Sequence, residues 1–311
     1  MLKLEDLAAL LESHRPAAAA RVQEFAIAGR VFAAGSRPAL MGVVNLSPDS
    51  WYRESVCLTL EGAVRRGQVL AAQGADLVDV GAESTLATAA RADASEQNAK
   101  LLPVVQSLRA QNILVSVETY LPEVTRACLE AGANVLNLTG TQGGKELYRL
   151  VAEHDAAVII CFVQGPHVRE VGEFNLSADP VPMLYEYFSR QVEAAVGSGV
   201  KRIFIDPGLG FYYRNLQDSA VRVRHQINIF LNTFRLRAIG WPVCQALPHA
   251  FEYFGEEVRC AEPFFAVLAA LGKTDLFRTH EVPRTRAVLD TLAAASPGYA
   301  ETRTPPGGPS R

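Results

Sequence analysis

Eight short apolar runs recur along this chain, separated by stretches with helical periodicity. They read ALMGVVN (39–45), DLVDVG (76–81), ILVSVE (113–118), NVLNLT (134–139), AVIICFV (157–163), RIFID (202–206), WPVCQA (241–246) and DLFRTH (275–280). Near-continuous hydrophobic runs mark strands buried on both faces. Between them, LEGAVRRGQVLAAQGA puts Ala63, Val64, Leu70 and Ala71 on one face and stops at Gly74. LPEVTRACLEAGA carries Pro122 in its first turn and stops at Gly132. Strands alternating with helices imply parallel pairing through right-handed crossovers. Eight such units in roughly 250 residues predict an α/β fold, a (β/α)8 or TIM barrel. A doubly wound open sheet is the alternative. No G-x-G-x-x-G follows the first strand, which weakens its dinucleotide-binding version.

The flanks complete the outline. FAIAGRVFAAGSRP (25–38) reads as a hairpin turning at Gly29-Arg30, placed to plug the barrel floor. Residues 1–24 read as an extension of one or two helices, residues 25–295 as the barrel, and the Pro/Gly-rich 296–311 as a loosely attached tail. With 311 residues, 49% of them hydrophobic, and a net charge of −3, the chain has ample core and no basic field for nucleic acid. No apolar run reaches membrane-spanning length, and the amphipathic start MLKLEDLAALLESHRP is unlike a signal peptide. Five scattered cysteines (Cys57, Cys128, Cys161, Cys244, Cys260) lack a C-x-x-C pair. That usage suits reduced thiols and a cytoplasmic protein.

Each apolar run ends in something polar. In order these are Asn45, Asp79 with Glu83 beyond it, Glu118, Asn137, Gln164, Asp206, Gln245, and Arg278 with His280. Taken singly, each has a structural explanation; Asp206, for one, can cap the Pro-Gly turn that follows it. Taken together at the C-terminal mouth of a barrel, they define a pocket. Carboxylates and amides around one mouth suit a flat, nitrogen-rich heterocycle with an amidine-like N–H edge. Arg278 can stack on a ring or hold an anion, and His280 can donate to a leaving anion.

The motifs sharpen this. MGVVNLSPDSWY (41–52) resembles the signature M-G-I-x-N-V-T-P-D-S-F, and GADLVDVGAEST (74–85) resembles G-A-D-I-I-D-V-G-G-E-S-T. VSVETYLPEVTRACLEAGANVLN, IDPGLGF and FRTHEV resemble the later strand ends of the same family, in order and at the same spacing from about residue 25 to about 295. The family is dihydropteroate synthase and its pterin-binding relatives. The resemblance implies that Asp206 and Asn137 read the pterin's aminopyrimidine, with Glu118 where the family has aspartate. Thr85 and Gln164 would join the substrate site. Asn45 would ligate Mg2+ carried by a pyrophosphate. Arg278 would lie on the pterin face and, with His280, hold the departing anion. The implied reaction joins 6-hydroxymethyl-dihydropterin pyrophosphate to p-aminobenzoate or another amine, in a homodimer for which AEPFFAVLAALG (261–272) is a candidate contact.

The departures fall on one side of that chemistry. The second loop reads STLATAA where the family has S-T-R-P-G, so Leu86 replaces an arginine. The seventh strand continues into QALPHAF where the family has a lysine, and Ala250 or His249 takes its place depending on one gap. If His249 substitutes for the lysine, a titration near neutral pH is expected. Arg53, Arg91 and Arg214 are further candidates for replacement cations, and Tyr212 and Tyr213 are read either as an aromatic shelf for a second ligand or as loop tyrosines packed on the barrel rim. Two other readings use the same barrel. One is a methyl-tetrahydrofolate methyltransferase with a corrinoid partner, whose Ser-Asn is missing from the seventh strand here. The other is a pterin-binding paralogue without catalysis.

Overall fold

The computed structural model describes residues 2–33, 37–86, 89–141, 143–174, 176–211 and 213–295. Eight strands build one parallel sheet: β3 (Ala39–Asn45), β4 (Leu77–Gly81), β5 (Val115–Thr119), β6 (Val135–Leu138), β7 (Ala157–Cys161), β8 (Ile203–Asp206), β9 (Cys244–Ala246) and β10 (Leu276–Thr279). Their order is β8-β7-β6-β5-β4-β3-β10-β9. A parallel bridge between Ile205 and Val243 closes the ring. The seventh barrel strand is shorter than the apolar run 241–246 because Pro242 has no N–H to give. Its carbonyl accepts the Ile205 N–H instead, at 3.1 Å.

Around the barrel stand α3 (Leu60–Ala72), α4 (Ala94–Arg109), α5 (Pro122–Glu130), α6 (Gly144–Glu153), α7 (Val181–Gly197), α8 (Ser219–Leu236), α10 (Ala261–Leu271) and α11 (Val282–Ala293). A short α9 (Phe251–Phe254) follows β9, and α1 (Leu4–Ser13) and α2 (Arg15–Ala18) precede the barrel. Local chemistry starts these helices. Thr59 accepts the Gly62 N–H at 3.1 Å ahead of α3. Asp93 and Glu96 form a reciprocal capping box ahead of α4. Most of α10 packs on its own barrel; Phe264 and Leu271 remain exposed.

The period of two along a strand divides the core. Val78, Val80, Val115 and Val117 pack outward under the helices, while Leu77, Met41, Val135, Ile159 and Phe204 fill the interior. The hairpin of β1 (Phe25–Ile27) and β2 (Arg30–Phe32) closes the floor. Its Phe25 and Phe32 rings meet Phe204 edge-on, with centroids 5.1 and 5.5 Å away. Arg202 anchors it by donating to the Ala26 carbonyl at 2.6 Å. The expected tail, residues 296–311, lies outside the described residues.

Candidate functional site

Strand register brings the polar ends into one layer. Asn45 pairs with Gly81, Gly81 with Glu118, Glu118 with Asn137, and Cys161 with Asp206. Above them opens a cavity of about 180 Å3 at the C-terminal mouth. Asn45, Thr85, Glu118, Asn137, Asp206, His249, Arg278 and His280 all line it.

One ion network forms its base. Asp79, fully buried, accepts from Ser116 Oγ at 2.7 Å, Asn137 Nδ2 at 3.1 Å and Arg278 Nε at 2.7 Å. Arg278 reaches on to Glu118 Oε2 at 2.6 Å. A guanidinium held by two carboxylates has its plane fixed. Burial disfavours its charge, but Asp79 and Glu118 outweigh this and hold Arg278 protonated. Burial pushes the Glu118 carboxyl up to about 7, against the pull of Arg278. Burial likewise pushes Asp206 up to about 6, opposed by the Gly208 N–H and Arg278. That Gly208 N–H donates to Asp206 Oδ1 at 2.8 Å, so Asp206 does cap its own turn while facing the cavity.

A second cluster forms the wall toward β9 and β10. Glu262, at the start of α10, is 1% exposed. Its Oε1 lies 2.6 Å from His280 Nδ1 and 3.4 Å from His249 Nδ1. The Tyr52 ring packs against both imidazoles, with centroids 4.7 and 4.8 Å away, and its hydroxyl donates to Glu281. Burial drives the His249 pKa down to about 4 and holds His280 well below its ordinary value. His249 and Ala250 both line the cavity, and of the two only His249 brings a polar side chain to it. Its burial disfavours the charged form and weighs against the expected titration near neutral pH. Desolvation costs the imidazolium more than Glu262 returns.

Other expectations change as well. Gln164 is not part of the cavity lining; its backbone N–H donates to Tyr213 Oη at 3.2 Å, and its Nε2 lies 4.0 Å from Met183 Sδ. Gln245 faces α8, donating to Thr233 Oγ1 at 2.6 Å, because the pleat turns it away from the interior. Tyr213 is no shelf: it is buried and packs its ring against Phe174, with centroids 5.0 Å apart. Tyr212 and the Arg214 side chain lie outside what is described. Arg53 donates to the Pro48 carbonyl and Arg91 pairs with Glu170; neither lines the cavity. The second loop is instead pinned from outside by Arg169, which donates to the Ser84, Leu86 and Ala89 carbonyls. Arg222 lines the cavity unforeseen and is paired with Glu252 at 2.5 Å.

Two positions of weight were not assigned from the sequence, Tyr52 and Glu262; Asp79 was counted among the polar strand ends, without its partners. The signal for Glu262 is a lone carboxylate within the otherwise apolar AEPFFAVLAALG.

Comparison with known proteins agrees with this geometry. Residues 41–246 match the family described as pterin binding enzyme. The chain is 28% identical over 275 residues to dihydropteroate synthase of Streptococcus pyogenes, covering 84% of this chain and 97% of that one. It is 30% identical over 271 residues to a probable bifunctional folylpolyglutamate synthase/dihydropteroate synthase of Halobacterium salinarum, covering 85% of this chain and 32% of that longer protein. It resembles the structure of Xanthomonas albilineans dihydropteroate synthase with 4-aminobenzoic acid, with a TM-score of 0.72 and 31% identity over 88% of this chain and 99% of that one. The closed parallel barrel, the polar layer at its mouth and these matches agree: the chain belongs to the pterin-binding enzyme family, as a dihydropteroate synthase-like member.

Proposed function

We propose that this protein binds 6-hydroxymethyl-dihydropterin pyrophosphate at the barrel mouth and joins the pterin to an amine, p-aminobenzoate or a relative of it. The observation that carries the reading is Asp206: a carboxylate 3% exposed, held at the cavity base with a pKa pushed up by burial. A buried carboxylate is costly until donors meet it. The aminopyrimidine edge of a pterin offers two parallel N–H donors. Asn137, its amide oriented by Asp79 and by Cys161 Sγ at 3.3 Å, reads the same ring. Arg278 presents its fixed plane to the ring face, and Glu118 and Thr85 complete the pocket.

In the reaction the C–O bond to pyrophosphate breaks first, and the amine nitrogen attacks the resulting cation and loses a proton. The difficulty lies in stabilising the departing anion. Arg278 and His280 face it. Asn45 fits a role toward Mg2+: its Nδ2 donates to Ser55 Oγ at 2.6 Å, which leaves Oδ1, the oxygen a hard cation takes. Mg2+ arriving with the pyrophosphate would neutralise phosphate charge there. The same reading includes a cytoplasmic homodimer, a barrel over 25–295 with 1–24 as an extension, and 296–311 as a tail.

Calorimetric titration tests it, with 6-hydroxymethylpterin and with its dihydro pyrophosphate plus Mg2+, on the protein and on Asp206→Ala. Binding lost in the variant is the expected result. No binding, or equal binding by both proteins, would overturn the proposal.

A further inference from the structure

We propose that His249, His280 and Glu262 form a binding site for one divalent cation of the zinc class. One ligand atom from each lies within 4.8 Å of the others. The three come from separate elements that the barrel brings together: the loop after β9, the end of β10 and the first turn of α10.

The carboxylate is divided between two jobs. Its Oε2 accepts from Thr279 Oγ1, from the His280 N–H at 2.8 Å and from the Glu281 N–H at 3.1 Å. Three donors fix the group in the manner of the outer shell around a metal ligand. Oε1 is left toward the two imidazoles. His249 Nδ1 is buried without a hydrogen-bond partner. In a tetrahedral zinc site, with bonds of about 2.0–2.1 Å, neighbouring ligand atoms sit about 3.3–3.4 Å apart. His249 Nδ1 already stands 3.4 Å from Glu262 Oε1. His280 Nδ1, at 2.6 Å, has to open by less than an ångström, with the cation replacing its bond to the carboxylate. Tyr52 packs on both rings, with centroids 4.8 and 4.7 Å away, and restrains their orientation.

Two imidazoles and one carboxylate leave a fourth position, as zinc sites that act on substrates do. It opens on the cavity, because His249 and His280 both line it. On the pterin reading, on which this part of the inference rests, the ion would take a phosphate oxygen of the leaving group. It would also restore positive charge on the wall where the family keeps a lysine. The two arginines among the described lining residues are each committed to carboxylates, Arg278 to Asp79 and Glu118 and Arg222 to Glu252.

The test uses the full chain after chelator treatment, with no pterin present, so it stands apart from the pterin proposal. Zn2+ is titrated calorimetrically, and Co2+ is followed by its visible absorption. The expected result is one ion per chain, with the intense bands of tetrahedral Co2+. His249→Ala and His280→Ala should each weaken binding at least as much as the 10–100-fold loss that outer-shell changes cause. Both variants are checked for folding by thermal unfolding without metal. Fe2+ competition reports whether the same donors take iron, which they also suit. Uptake by the double variant equal to the parent's, or no uptake by a folded parent, would overturn the site.

Discussion

Replacing Asp206 by asparagine should make the protein more stable and take away its ligand. The carboxyl titrates at about 6 in the folded chain because burial penalises its charged form. Against an ordinary value near 3.9, two pKa units are worth about 3 kcal/mol. The folded pKa is raised, so this contribution to stability is fully present below the unfolded pKa and is lost as pH rises through about 6. Asparagine has no charge to bury, and its Oδ1 can still accept the Gly208 N–H. The two proteins should therefore melt alike near pH 4. By pH 8 the variant should melt higher, by roughly 6 °C if each kcal/mol moves a chain of this size about 2 °C. The comparison is differential, so acid effects elsewhere cancel. Pterin affinity should fall by about 100-fold or more, since two hydrogen bonds to a charged acceptor contribute about 1.5–3 kcal/mol each. In the parent, affinity should rise as pH increases through about 6, because only the ionised carboxylate accepts both bonds. Melting curves that stay parallel from pH 4 to 8 would refute the burial argument. An asparagine variant that binds pterin like the parent would refute the role.

Three further outcomes follow from other parts of the molecule. Asp79→Asn leaves Arg278 paired with Glu118 alone and should cost about 3–5 kcal/mol in urea unfolding, as breaking a buried ion pair does; an unchanged midpoint would show the network to be dispensable. Gly208→Ala forces a side chain onto a backbone with φ +77°, where its Cβ would meet the Phe162 carbonyl oxygen at 2.3 Å, so it should lower the melting temperature and loosen the Asp206 loop together; a variant as stable as the parent contradicts the geometry. In chelator-treated protein the His249 ring resonances, assigned by their loss in His249→Ala, should titrate with a midpoint near pH 4; a midpoint between 6 and 7 would refute the effect of burial and leave the histidine partly charged near neutral pH.

The strands were legible because burial on both faces writes itself into composition, and the polar end of each run marked the mouth. Pairing across the barrel was not legible. Arg278 meets Asp79 and Glu118 from far along the chain, and that choice depends on barrel register, which no local pattern carries. Gln245 shows the same limit in reverse. It ends an apolar run as Asp206 does, but the pleat sends it outward to Thr233. At the lysine position an alignment left Ala250 and His249 open. Both line the cavity, Ala250 at φ +45° with only a methyl group to offer and His249 with an imidazole. For Tyr213 the sequence left shelf and rim packing open, because a loop tyrosine looks the same either way; the structure packs it against Phe174.

The charges at the mouth bear directly on the proposed reaction. Three carboxylates, Asp79, Glu118 and Asp206, surround one guanidinium at the base. Burial, with a smaller contribution from neighbouring carboxylates, pushes Glu118 and Asp206 up. Such a base is incomplete without a ligand rich in N–H donors, which an aminopyrimidine supplies. Toward an anion it offers Arg278 and Arg222 only as cations already paired with carboxylates. His249 and His280 add no charge of their own at neutral pH. A pyrophosphate departing from this pocket therefore needs positive charge that the described side chains at the wall do not carry in free form. It can come with the substrate, at Asn45, or from an ion held between His249, His280 and Glu262. The metal titration separates these two sources, since only the second survives in the absence of pyrophosphate.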